Sequence, residues 1–258
     1  MLTRRQFLGA AGCGALAVAL PGCGLDEWRD RLRAGGSDAV LTARPGTGEA
    51  EPMGPGTHPL LLAGSHEFLV HVPPTAVAPT PLVVSLHGAG GDAQGGLSLL
   101  AASADAHGFA LLAPASRGST WDAIRGRYGE DVAAIDEALR RVFGGVEVDP
   151  GRVVVAGFSD GASYALGLGL ANGGLFRHVV AFSPGFVPAA ARAGRPAVFV
   201  SHGVHDDVLP VASTSRRIVP ALEEDGYDVT YREFDGGHEI PPDVVAEAVA
   251  WLGWDAWA

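Results

Sequence analysis

Val153-Val154-Val155-Ala156 runs directly into Gly157-Phe158-Ser159-Asp160-Gly161, and a stretch of helical composition, Ala162 to Leu170, follows. This passage decides the fold. A short apolar run reads as a buried strand, and Gly-x-Ser-x-Gly between a strand and a helix is a nucleophile elbow. The turn is so tight that the serine backbone is strained, and only small flanking residues let strand and helix approach this closely. The serine oxygen is thereby held out at the carboxyl edge of a sheet, beside the positive end of a helix. With 37 glycines in the chain the pentapeptide can arise by chance, so its meaning depends on what lies downstream.

Ser159 needs a base, because a free hydroxyl is a poor nucleophile at neutral pH, and the base needs an acid to orient it. The strand-like run Pro196 to Ser201 ends in His202-Gly203-Val204-His205-Asp206-Asp207, and a second run, Val229 to Phe234, ends in Asp235-Gly236-Gly237-His238-Glu239. His238 is the candidate base. Asp206, Asp207 and Asp235 are candidates for the acid, Asp235 being the poorest because it shares a loop with His238. Upstream, the strand-like Leu82 to Leu86 precedes His87-Gly88-Ala89-Gly90-Gly91-Asp92. A glycine-rich loop there can turn a backbone N–H toward a developing oxyanion; we assign Ala89 as one donor and Asp160, the residue after the nucleophile, as the other. The Asp160 carboxylate is expected to point away from that charge. His87 reads as the histidine that organises this loop and not as a base.

These segments resemble the α/β-hydrolase superfamily, and within it the phospholipase/carboxylesterase group. They are also similar to secreted polyhydroxybutyrate-depolymerase-like and feruloyl-esterase-like enzymes. The resemblance rests on Leu86-His87-Gly88, Gly157 to Gly161, His202-Gly203-x-x-Asp206 with Pro210 following, and Gly237-His238-Glu239-Ile240-Pro241, within residues 66 to 253. It implies Asp206 as the acid, a Ser159–His238–Asp206 triad and an acyl-enzyme intermediate.

The rest of the chain agrees with an α/β fold. Strands are expected at about 67–72, 82–86, 109–113, 152–156, 178–182, 197–201 and 228–234, and helices at 94–107, 130–143, 160–171, 212–225 and 241–252. Alternating strands and helices, several strands being apolar throughout, indicate a mainly parallel sheet with helices on both faces. Only 13 residues separate Ser183 from Arg195 inclusive, so no sizeable cap domain and a largely open site are expected. Trp121, in the loop after the strand at 109–113, is a candidate wall of the substrate pocket, and equally a large ring that packs under that loop. Phe158 is expected to pack under the elbow, Asp131 to cap the helix at 130–143, and Trp251, Trp254 and Trp257 to dock a C-terminal helix.

Residues 1–23 read as an export signal. Thr3-Arg4-Arg5-Gln6-Phe7-Leu8 fits the twin-arginine pattern, and the 13 residues from Leu8 to Leu20 are too few to span a bilayer. Leu20-Pro21-Gly22-Cys23 resembles a lipobox, so Cys23 is the expected lipidation site and would attach the mature protein to a membrane. Without lipidation the protein would be secreted. Residues 24–59, first charged and then rich in Gly, Pro, Ala and Thr, read as a flexible tether, leaving 60–258 as a single catalytic domain.

The formal net charge is −11, and loss of Arg4 and Arg5 with the signal leaves −13; the chain has no lysine. An acidic surface argues against nucleic acid as a partner. No dinucleotide-binding glycine pattern follows a strand, and a phosphate-binding lysine loop is impossible without lysine, so no cofactor is expected. His202 and His205 beside Asp206 and Asp207 invite a metal reading, but His202 closes a buried strand and no zinc motif supports it; no metal is expected. The expectation is a monomeric exported serine esterase acting on a small-molecule, lipid or polymer ester. The alternatives are a catalytically inactive binding protein of the same fold, or a small serine peptidase or thioesterase.

Overall fold

The computed structural model describes residues 39–46, 51–62 and 66–254. The expected export signal with Cys23, residues 24–38 and 47–50 of the expected tether, and Trp257 lie outside the described residues. One eight-stranded sheet organises the chain, with spatial order β1-β2-β4-β3-β5-β6-β7-β8. Its strands are β1 (Gly56–Leu62), β2 (His66–Val72), β3 (Thr80–Leu86), β4 (Ala110–Ala113), β5 (Val148–Phe158), β6 (His178–Phe182), β7 (Ala197–Gly203) and β8 (Val229–Phe234). β2 is antiparallel to β1 and β4, and the strands from β4 across to β8 are parallel.

Successive strand residues point to opposite faces of a sheet, and here each face meets its own helical layer. Leu82, Val84, Val153 and Val155 enter one core with α3 (Glu130–Gly145), α4 (Asp160–Ala171) and α5 (Ser215–Glu224). Val83, Val154 and Ala156 enter the other with α1 (Ala93–Ser98), α2 (Ala101–His107) and α6 (Pro242–Trp251). A sheet buried on both sides explains why the central strands are apolar throughout. Trp254 is buried against Phe109, and the Trp251 ring meets His178 and Phe199, as the tryptophan spacing suggested.

Three expectations change. The single helix expected at 94–107 is two, because the chain leaves helical geometry at Leu100 (φ −133°) and buries that leucine between them. Residues 56–59 belong to β1, not to a tether. Pro59 disguises the strand, but β1 is the outermost strand, where a proline's missing N–H costs no ladder bond. Residues 39–46 also pack on the domain. Ala39, Leu41 and Ala43 are buried; Asn172 accepts from the Leu41 N–H and donates to the Ala39 carbonyl; Asp136 accepts from the Thr42 and Ala43 N–H groups. Two polar side chains, Asp136 on α3 and Asn172 just past the end of α4, therefore hold a strap that composition alone marks as loose.

The link from β6 to β7 forms no helix or strand, and no cap domain is inserted there. No helix among the described residues is long and apolar enough to cross a membrane.

Candidate active site

The parallel strands end their carboxyl termini on one edge, and loops after β3, β5, β7 and β8 meet there. The elbow after β5 has the geometry its sequence demands. Ser159 has φ 57° and ψ −118°, and its N–H donates to the Phe182 carbonyl at 2.9 Å. A Cβ at Gly157 would run into the Gly161 carbonyl, and one at Gly161 into the carbonyls of Leu86 and His87. Both glycines are thus required by close approach, one within the turn and one against β3.

Ser159, His238 and Asp206 come together from three loops. His238 Nε2 lies 2.9 Å from Ser159 Oγ, and His238 Nδ1 lies 2.6 Å from Asp206 Oδ2. In the neutral ring, Nδ1–H donates to the carboxylate and Nε2 accepts from the serine hydroxyl. Asp206 Oδ1 accepts from the N–H groups of Val208 (3.0 Å) and Leu209 (2.7 Å). Burial pushes the Asp206 carboxyl up, but the Leu209 N–H and His238 outweigh it and hold the group below its ordinary range. The other two candidate acids are elsewhere. Asp207 is exposed, and Asp235 pairs with His205 at 2.8 Å in solvent. With His205 so engaged, the four residues considered as metal ligands do not converge. Phe158 sets its ring against that of His238, centroids 4.7 Å apart, so it supports the imidazole beside the elbow.

The loop after β3 abuts the serine: a Cβ at Gly88 would lie 3.4 Å from Ser159 Cβ. The N–H groups of Ala89 and Asp160 have no hydrogen-bond acceptor among the described residues, and that of Asp160 opens α4, where helical N–H groups are free. His87 organises this loop as expected. Its Nδ1–H donates to the Gly88 carbonyl at 2.7 Å, and its Nε2 accepts from the Ser116 N–H at 3.0 Å. Burial holds its imidazole below the ordinary value, against the pull of the Gly88 carbonyl and three aspartates. The ring is neutral, as accepting at Nε2 requires.

In the segment from Ser116 to Asp122 the sequence singled out Trp121 but not the contacts of Ser116, Ser119 and Thr120. The Ser119 carbonyl accepts from the Gly90 N–H at 2.6 Å, and Thr120 Oγ1 donates to Asp160 Oδ2 at 2.6 Å. Thr120 thus holds the carboxylate of the residue whose N–H is the second candidate donor. Of the two places open to Trp121, pocket wall or packing under the loop, it takes the second. It is 0% exposed, its Nε1 donates to the His87 carbonyl at 2.9 Å, and its ring packs between His87 and Tyr164. A large ring with one N–H fits a buried site that offers one carbonyl. Asp131 also differs from expectation. Its carboxylate accepts from the Arg117 and Asp122 N–H groups, while Asp122 accepts from the Asp131 N–H. Asp122 therefore serves the start of α3, and Asp131 clamps the loop. No local motif encodes these exchanges; only the charged residues at 122 and 131 hinted at them.

An imidazole bonded to a hydroxyl on one side and a carboxylate on the other can take a proton from that hydroxyl and return it to a leaving group. Comparison with known proteins points to esterases. The phospholipase/carboxylesterase family matches residues 130–253. The Aspergillus oryzae protein named Probable feruloyl esterase C is 31% identical over 186 residues, spanning 66% of this chain and 68% of that protein. The crystal structure of esterase PE8 is 26% identical with a TM-score of 0.59, covering 70% of this chain and 95% of PE8. The acetyl xylan esterase from Aspergillus awamori shares the fold at 16% identity, with a TM-score of 0.63 over 77% of this chain and 99% of that one. A relative 31% identical and covered over two thirds of its length, joined to a matched family segment that contains Ser159, Asp206 and His238, makes this chain a member of the α/β-hydrolase esterases, in the phospholipase/carboxylesterase group, and a carboxylic ester hydrolase.

Proposed function

We propose that the protein is an exported serine esterase working through Ser159, His238 and Asp206. The observation that carries this reading is the continuous chain from Ser159 Oγ through His238 to Asp206, at 2.9 and 2.6 Å. Ser159 Oγ attacks the ester carbonyl carbon while its proton passes to His238 Nε2. The tetrahedral intermediate's oxyanion is held by the N–H groups of Ala89 and Asp160, each such donor being worth about 3–4 kcal/mol in the transition state. His238 then protonates the departing alkoxide, leaving an acyl group on Ser159. Water repeats the sequence: it loses a proton to His238, attacks the acyl carbon, and releases the acid as Ser159 recovers its proton. Asp206 keeps the imidazole tautomer and stabilises the imidazolium.

An uncapped site admits esters attached to large groups, and the relatives' names make feruloyl and acetyl esters the first substrates to try. We further propose that residues 1–23 direct twin-arginine export, that Cys23 is lipidated, and that the mature protein is a monomer.

Purified protein is expected to cleave nitrophenyl acetate and to be labelled by a fluorophosphonate, both lost in Ser159→Ala and His238→Ala. Hydrolysis that survives Ser159→Ala would remove the nucleophile from the mechanism. Mass spectrometry of the mature N-terminus tests lipidation: an unmodified terminus other than residue 23 excludes it. Light scattering reads the oligomeric state.

A further inference from the structure

His202 closes β7 four residues before Asp206, and its side chain has no solvent exposure. Its Nε2 lies 2.7 Å from the Leu209 carbonyl oxygen and 3.1 Å from Asp206 Oδ2. A carbonyl and a carboxylate only accept, so Nε2 carries the hydrogen. On the other side, Nδ1 lies 2.7 Å from Ser215 Oγ at the start of α5. A neutral ring protonated at Nε2 accepts at Nδ1, so the Ser215 hydroxyl is the donor. Burial pushes this imidazole below its ordinary value, against the Leu209 carbonyl and Asp206, which keeps the ring neutral.

Asp206 Oδ2 therefore faces two imidazoles, His238 at 2.6 Å and His202 at 3.1 Å. His202 also grips the carbonyl of Leu209, whose N–H binds Asp206 Oδ1. One buried N–H thus touches both ends of the loop that carries the acid. We propose that His202, held by Ser215, is a positioning residue for hydrolysis: it fixes the 206–209 loop and takes up part of the charge on Asp206 Oδ2, so setting how strongly Asp206 favours the His238 imidazolium. This rests on the serine-esterase reading above.

A hydrogen bond to a carboxylate lowers its basicity. Without it, more of the Asp206 charge faces His238, and the imidazolium is favoured. The acid limb of the pH–rate profile, set by the essential base of the free enzyme, then moves to higher pH. Few other charges compete. His238 also faces Ser159 and the Phe158 ring. His202 is paired across the sheet with Glu233 on β8, whose carboxylate is held by Arg216 at 2.7 and 2.8 Å. Asp207 and the His205–Asp235 pair are exposed, where solvent and salt screen them.

The test compares wild type, His202→Leu, His202→Gln and Ser215→Ala as full chains, with active sites counted by fluorophosphonate titration. In His202→Leu the acid limb of kcat/KM for nitrophenyl acetate rises by about half a unit or more. Its kcat per titrated site falls about tenfold or more, with KM little changed. Glutamine, which can return an N–H near Nε2, restores the limb; Ser215→Ala moves it in the leucine direction by less. A histidine needed only for packing would lower the titrated fraction and leave the limb in place. An unmoved limb in both His202→Leu and Ser215→Ala overturns the proposal, and Ser215→Ala decides alone if the leucine variant does not fold. Failure of the wild type to label would instead overturn the serine-esterase reading itself.

Discussion

Replacing Trp121 by alanine separates two roles that the residue could have beside this site. The side chain is wholly buried, stacks between His87 and Tyr164, and donates to the His87 carbonyl. Truncating a buried aromatic of this kind costs about 3–5 kcal/mol through lost contacts and the cavity left behind. In a domain of this size each kcal/mol moves Tm by about 2–4 °C, so Trp121→Ala should melt about 6–20 °C lower. Trp121→Phe keeps a ring but leaves the His87 carbonyl without its donor, at about 1–3 kcal/mol, and should fall between the two. Because the ring lies under the loop and not in the site, the relative rates on acetyl, butyryl and octanoyl nitrophenyl esters should stay constant while kcat falls for all three. Thermal melts and kcat/KM across that series measure both quantities. A variant with wild-type Tm and an altered acyl-length preference would refute this reasoning and return Trp121 to the pocket wall.

Asp206→Asn should lose about 10³–10⁴-fold in kcat, the scale seen when a triad acid no longer holds its histidine tautomer, while exposed Asp207→Asn stays near wild type; steady-state kinetics with the reverse ranking would exchange the two. Burial lowers the pKa of His87, His178 and His202. Their contribution to stability is complete above the unfolded value of about 6.5 and is lost as pH falls toward the folded values. Denaturant midpoints should therefore decline from pH 7 to pH 5, and a flat profile would count against neutral buried rings. Asp136→Ala removes the acceptor of two strap N–H groups and the Thr42 hydroxyl. It should open residues 39–46 to proteolysis; equal cleavage rates in mutant and wild type would show that the strap is held otherwise.

The features legible in the chain were those with short-range causes. The elbow needs a strand, a turn too tight for side chains at 157 and 161, and a helix, all within about a dozen and a half residues. The His87–Gly88 loop and the elements around it were equally readable, because burial on both faces makes the central strands apolar throughout. Edge strand β1 was not readable. Only one of its faces is covered, and Pro59 carries a signal that usually excludes strands. The strap was hidden for a different reason: its partners Asp136 and Asn172 lie 93 to 133 residues away, and nothing near residue 40 announces them.

From residue order and local sterics alone came the fold, the serine, the histidine and the pairing of Ala89 with Asp160 as candidate oxyanion donors. Directions in space belong to the tertiary structure. Asp206 and Asp207 are neighbours of the same type, yet one turns inward to two histidines and two N–H groups while the other turns to solvent. Trp121 lies in a loop on the site's own edge, yet its indole points down to the one carbonyl that it can satisfy. Whether a side chain faces solvent, a neighbouring loop or the reacting atoms depends on partners brought from distant segments, and only the folded chain assembles them.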